Sequence, residues 1–294
     1  MAERHVIGSG ALSATIAAHG AELVGLRDGE GRELMWHGGP EWPRHSPVLF
    51  PIVGKLTDDT LLRQGKSHRL TQHGLARDQL FTWIERSETH AVLELAESEA
   101  TLALYPFRFR LRIIYEITDG RLSVTARVGN PGDETLPCGI GAHPAFIWPL
   151  VEGVPKDRHI VEFGAQERGE MRSVTGGLIG PAMQLPGDGR RIELSEELFR
   201  NDALVIPDVV SNSLRFVALD EAGEPSRALS FTWSGYKDLG IWSKPTGADF
   251  LCIEPWYSMA SPVGWQGEFS EKPGLMQLAP GESRDFVWTV TPEG

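Results

Sequence analysis

Three short segments set ionisable side chains beside glycine or proline: Gln72-His73-Gly74-Leu75-Ala76-Arg77-Asp78, Gly139-Ile140-Gly141-Ala142-His143-Pro144-Ala145-Phe146 and Leu251-Cys252-Ile253-Glu254-Pro255-Trp256-Tyr257. In the second, Gly139 and Gly141 permit close backbone approach and Pro144 fixes the chain just past an imidazole, which suits a histidine held at a strand end facing a cleft. In the third, Glu254 follows apolar Leu251 and Ile253 and precedes Pro255, so a carboxylate is expected where a buried strand stops. A carboxylate so placed needs a partner or a task. Near their ordinary pKa values a glutamate is ionised at neutral pH and a histidine titrates close by, so Glu254 and His143 can supply a base and an acid together. Adding His73 gives two histidines and one carboxylate, a set that also ligates metals. The chain lacks His-Glu-x-x-His, a closely spaced His-x-His pair and a cysteine cluster, the usual sequence traces of metal sites, so no metal is expected. Plainer readings stand beside these. His73 could bond a turn carbonyl, His143 could finish a strand, Glu254 could pair with an arginine, and Arg77 with Asp78 could be a surface couple of little energetic value.

Strands must do the positioning. From Phe107 to Ile117 the odd positions are apolar and the even ones nearly all charged, a period of two that marks a strand with one wet face. After Asp119-Gly120, a dipeptide that tolerates the positive φ of a tight turn, Leu122, Val124, Ala126 and Val128 resume the alternation, so an antiparallel hairpin is predicted. Similar runs recur at Leu12 to Ile16, Ala91 to Leu95, Leu214 to Leu219, Ala228 to Trp233 and Phe286 to Val290, each bounded by turn residues. Helical periodicity is confined to a brief stretch at Ser195 to Phe199, and no rhythm of long helices between strands is visible. The prediction is an all-β protein, a large antiparallel sandwich with few short helices. Val151 to Asp188 reads as loop-rich but not as a linker, so residues 1–294 are expected to form a single domain.

Composition narrows the partners. A formal charge of −12 disfavours nucleic acid and anionic membranes, which are held by lysine and arginine, and suits a small neutral ligand. No stretch approaches a membrane-spanning length and the N-terminus lacks the pattern of a signal peptide, so a cytoplasmic protein is expected. Only Cys138 and Cys252 are present, too few for a disulfide framework, and they read as reduced core thiols.

Taken in order along the chain, Trp42-Pro43-Arg44, Ser46 to Lys55 (SPVLFPIVGK), His73 to Asp78 (HGLARD), Gly141 to Phe146 (GAHPAF) and Cys252 to Trp256 (CIEPW) resemble the aldose 1-epimerase, or galactose mutarotase-like, superfamily. The similarity is to its branch of short bacterial sequences described as LacX-like, and it covers most of the chain. It implies a β-supersandwich with an open cleft, a sugar as substrate and no cofactor. In that fold the histidine matching His143 acts as general acid, the glutamate matching Glu254 as general base, and the histidine matching His73 binds near the ring oxygen and hydroxyls. Asp202 is the nearest match to an aspartate that binds sugar hydroxyls, and Lys55 stands where the family often has arginine, keeping the charge but losing the planar fork. Arg77 and Trp256 are further candidates for sugar contact, and Trp36, Trp42 and Trp242 lie near the same segments as apolar platforms for a pyranose. The chemistry implied is mutarotation: a proton leaves the anomeric hydroxyl, another reaches the ring oxygen, and the open aldehyde recloses on its other face. A hexose-6-phosphate epimerase, with Lys55 or Arg77 holding phosphate, and a non-catalytic sugar-binding protein are the alternatives.

Overall fold

The computed structural model describes residues 3–294. The hairpin expected at Asp119-Gly120 is present: Arg110–Thr118 pairs antiparallel with Arg121–Gly129, and both turn residues have positive φ, 52° and 72°. Leu111, Ile113, Tyr115 and Ile117 are buried from one strand and Leu122, Val124, Ala126 and Val128 from the other. Each fully buried aliphatic side chain of this kind contributes roughly 1.5–3 kcal/mol.

That hairpin belongs to a nine-stranded sheet running Arg191–Glu193, His159–Phe163, Ser213–Leu219, Pro225–Ser234, Ser283–Glu293, Arg121–Gly129, Arg110–Thr118, His90–Ala96 and Thr82–Arg86. The second large sheet runs Leu178–Gln184, Glu170–Thr175, Leu204–Ile206, Asp238–Trp242, Phe250–Tyr257, Ile140–Ala142 and Val48–Leu49, with Ala145–Ile147 also paired to Phe250–Tyr257. The main core contains residues from both, among them Phe216, Phe231 and Ile113 from the first sheet and Leu239, Ile241, Leu251 and Ile253 from the second. The fold is the predicted large antiparallel β-sandwich.

Alternation fixes what the other face of the second sheet carries. Leu251 and Ile253 belong to the main core, while Cys252 and Trp256 belong to separate small clusters, so Cys252, Glu254 and Trp256 share the opposite face.

Several elements differ from expectation. The brief helical signal at Ser195 to Phe199 becomes a 3₁₀ turn, Glu196–Phe199. An unpredicted α-helix, Glu99–Leu104, begins at Ser98, whose side chain and that of Thr101 cap each other's backbone N–H. Six residues are too few to display helical periodicity, so the cap is its only sequence mark. The stretch read as loop-rich, 151 to 188, contains three strands, and Glu170–Thr175 with Leu178–Gln184 forms a hairpin turning on Gly176 and Gly177, both at positive φ. Its strands lie at the sheet edge with much of their surface exposed, so hydrophobic alternation is weak. Cys138 and Cys252 are free and buried. Among the described residues no helix is long and apolar enough to cross a membrane.

Candidate active site

Glu254 does not end a strand. Phe250–Tyr257 runs straight through Pro255, which is paired with Leu239 on one side. On the other side the neighbouring strand is interrupted between Ile140–Ala142 and Ala145–Ile147, so the missing N–H of Pro255 faces a gap in the ladder. Both flanking pieces hold one register, Gly141 opposite Trp256 and Ala145 opposite Cys252. Continuing that register through the gap sets His143 opposite Glu254, and residues so placed on one face meet side chain to side chain. The His143 Nε2 to Glu254 Oε2 distance is 3.1 Å. The approach lies off the hydrogen-bond direction: Glu254 Oε2 and His143 Nδ1 both lack hydrogen-bond partners among the described residues.

Gly240 stands opposite Glu254 on the third strand of the same face, and Trp256 lies across the glycines. A Cβ on Gly240 would come within 2.4 Å of the Trp256 ring, and one on Gly141 within 2.6 Å. The close approach expected at Gly141 is therefore an approach of indole.

Neither ionisable group keeps its ordinary proton affinity. Glu254 is 1% exposed, and burial, reinforced by the negative charge of Asp202 and only partly offset by the Trp256 indole, holds its carboxyl well above the usual carboxylate range. Burial, aided by the positive charges of Arg77 and Arg44, pushes His143 down to about 3. In the sugar-free protein burial thus works against an ionised glutamate beside a half-protonated histidine and toward glutamic acid beside neutral imidazole. With one proton between them the two groups are neutral as a unit wherever it sits, because neutral histidine with glutamic acid and imidazolium with glutamate carry the same net charge.

The pair lies in the wall of a cavity of about 300 Å³. His73, Gln72, Arg77, Asp202, Trp42, Trp242 and Trp256 also line it, so the structure brings together every predicted site residue except one. Lys55 is the exception. It does not line the cavity, and its ammonium lies 4.0 Å from Asp59. Trp36, whose indole N–H donates to the Trp42 carbonyl at 2.8 Å, packs beneath the site and does not line it.

His73 adopts a left-handed backbone, φ 66°, followed by Gly74 at φ 74°. Gly74 is required there, since a Cβ would lie 2.3 Å from the Phe50 carbonyl oxygen. The His73 N–H donates to the Gly54 carbonyl at 2.7 Å, and the Gly54 N–H donates to His73 Nδ1 at 3.2 Å. Burial, then the electrostatic influence of His143, Arg77 and Arg44, holds His73 well below the usual imidazole range; with Nδ1 accepting, its Nε2 carries the proton and faces the Gln72 side-chain amide at 3.3 Å, whose oxygen must then be turned toward it. Arg77 donates to the Gln72 carbonyl at 2.6 Å, while Asp78 is held by Arg44 at 2.7 Å, so Arg77 and Asp78 are not a simple surface couple. Asp202 is also left-handed, φ 82°, and exposed at the cavity.

The rest of the apolar lining, which packs with Trp256, was not foreseen. Val174, Gly177 and Ile179 come from the edge hairpin, with Val205, Ala203 and Val53 beside them. Gly176-Gly177 between short apolar-polar alternations was the available signal, a two-residue hairpin turn. His143 is further enclosed by aromatic rings: Trp42 stacks on it at 5.0 Å between centroids, and Trp242 meets it edge-on at 5.7 Å.

The family model of aldose 1-epimerase matches residues 3–287. The chain belongs to the aldose 1-epimerase family. Two LacX proteins of Lactococcus lactis subsp. lactis, one plasmid-borne and one chromosomal, are each 25% identical over 92% of this chain and 93% of theirs. Among solved structures, a galactose mutarotase related enzyme from Lactobacillus acidophilus superposes with a TM-score of 0.92 at 28% identity, covering 99% of this chain and 98% of the other. A galactose mutarotase-like protein from Lactobacillus casei gives 0.90 at 25% identity over 99% and 100%. Family and fold together support a sugar epimerase or mutarotase kind of function.

For this aldose 1-epimerase family member the burial of the pair sets an expected pH profile. An acid–base pair that works with a single proton would be spoiled at the acid end when His143 takes a second one. With His143 pushed down to about 3, kcat/KM for anomer interconversion should stay level as pH falls through 6.5 and drop only near the lower value. An acid limb centred near 6.5, measured where circular dichroism shows the fold intact, would mean that the imidazole is solvated in the sugar-free protein.

Proposed function

We propose that this chain, as a single sandwich domain over residues 1–294, is a metal-independent aldose 1-epimerase that opens and recloses the hemiacetal of an unphosphorylated hexose or related sugar. The observation that carries this reading is a set of buried polar atoms without hydrogen-bond partners among the described residues, Glu254 Oε2, His143 Nδ1, Trp256 Nε1 and Arg77 Nε, all on residues that line one cavity. Buried polar groups are ordinarily satisfied, so such a concentration marks a place built for a polyhydroxylated ligand. Trp42, Trp242 and Trp256 offer apolar surface to the carbon faces of the ring.

A base and an acid on one anomeric carbon must reach two oxygens bound to the same atom, and groups 3.1 Å apart can do so. As sugar hydroxyls solvate the carboxylate, the proton passes from Glu254 to His143. Glu254 then takes the proton of the anomeric hydroxyl while His143 protonates the ring oxygen, and the carbon–oxygen bond of the ring breaks. After rotation about the adjacent carbon–carbon bond, closure uses the same groups with roles exchanged. His73 Nε2–H, Arg77, Asp202 and the Trp256 indole hold the remaining hydroxyls. The test is NMR or polarimetry of freshly dissolved α-glucose and α-galactose with and without chelator: equilibration above the uncatalysed rate that survives chelation is expected. Sugar binding without acceleration would make this a carbohydrate-binding protein.

Phosphate is disfavoured by the wall. Among the described residues its one lysine or arginine is Arg77, already bonded to Gln72, while Asp202 and Glu254 contribute carboxyl groups. The free hexose is therefore expected to have a kcat/KM at least about tenfold above that of its 6-phosphate, a difference of about 1.4 kcal/mol in barrier. Equal or reversed preference would identify a sugar-phosphate epimerase instead.

A further inference from the structure

Cys252 stands two rungs from the acid–base pair and takes no part in it. It lies two residues before Glu254 on the same strand face, fully buried in a cluster with Phe250, against which Trp42 and Trp242 pack. A ring nitrogen of His143, the sulfur of Cys252 and a carboxylate oxygen of Glu254 all lie within 4.8 Å of one another. Two of these residues carry buried atoms without partners among the described residues, Glu254 Oε2 at 1% and His143 Nδ1 at 7% residue exposure.

We propose that His143, Cys252 and Glu254 form a binding site for a soft or borderline divalent cation of the zinc and cadmium class, which on binding blocks the acid–base pair. Sulfur, nitrogen and oxygen donors together select this class over magnesium or calcium, which prefer oxygen alone. Zinc bonds of about 2.0–2.3 Å bring such donors onto one ion after small side-chain rotations. On binding, the thiol and the carboxyl each release a proton to the buffer and both sites become anionic ligands. No electron moves. Strand geometry supplies the set: Cys252 and Glu254 are alternate residues on one face, and Ala145 and the register-continued His143 lie opposite them.

Binding itself is independent of the proposed catalysis; the blocking rests on it, and the experiment separates the two. Reduced protein is titrated with cadmium chloride while the ultraviolet charge-transfer band of a cadmium thiolate and the rate of anomer equilibration are followed together. The band should saturate at one ion per chain, persist in Cys138→Ser, and vanish in both Cys252→Ser and Cys252→Ala, each checked by circular dichroism. Equilibration should be lost in step with the band and restored by chelator, and magnesium should do neither. No band, or a band that survives in folded Cys252 variants, would overturn the site. A Cys252-dependent band with undiminished equilibration would uphold the site and overturn the blocking.

Discussion

Glu254→Gln is expected to slow anomer interconversion by at least about 10²–10⁴-fold while leaving the melting temperature unchanged or higher. The isosteric amide keeps the volume and the neutral state that burial favours but can neither take nor give the proton. Stability follows from linkage. Burial raises the folded-state pKa of Glu254 above its ordinary 4.5, so over the window between those values the native protein holds a proton that the unfolded chain has lost. The protein is then less stable as pH rises through that window, with the contribution of this group fully intact only below 4.5. The variant lacks that slope, and its advantage should be larger at pH 8 than at pH 5. Thermal unfolding at the two pH values, beside the NMR rate, checks both halves. A variant that equilibrates sugars at the wild-type rate would remove Glu254 from the mechanism. His143→Ala should lose catalysis to a similar degree, but it also opens a void under Trp42, which makes it the less clean probe.

The strands were legible where one face is wet. Arg108, Arg110 and Arg112 alternate with Phe109, Leu111 and Ile113, and turn residues bound each run, so pattern alone yields the hairpin and the all-β class. The edge hairpin at Glu170–Gln184 escaped because neither of its faces is deeply buried, and Pro255 misled because a proline is tolerated mid-sheet only opposite a gap that sequence does not display. The chemistry residues could be singled out by type and by glycine or proline neighbours. That His143 meets Glu254 is a matter of register between segments more than a hundred residues apart in number, which only the fold or the family resemblance supplies. Lys55 illustrates the converse. It follows Gly54, which does line the cavity and bonds His73 through its backbone, yet the lysine side chain lies near Asp59 instead. Proton affinities were least accessible, since they depend on how deeply the third strand and its aromatic neighbours bury the pair.

Gly240→Ala should disable the site without touching any reacting group. Gly240 lies between Val205 and Glu254 on one rung of the sheet, and its missing side chain is the space that the Trp256 ring occupies. A methyl 2.4 Å from that ring cannot be accommodated by the backbone, which is paired on both sides, so the indole must turn. Trp256 lines the cavity, so the displacement expected is into it. Overpacking of this kind costs roughly 1–3 kcal/mol, a loss of stability that leaves the sandwich folded at room temperature. Sugar affinity should fall much further, since the displaced ring fills volume that a pyranose needs and withdraws both a platform and an N–H donor. Trp256→Ala alone should also weaken binding. In the double variant the clash is gone, so the melting temperature should lie above that expected from adding the two single losses, while binding remains as poor as in Trp256→Ala. Thermal unfolding and NMR titration with galactose across the four proteins of this cycle decide the matter. Strict additivity in stability would show that the sheet, rather than Trp256, absorbs the added methyl.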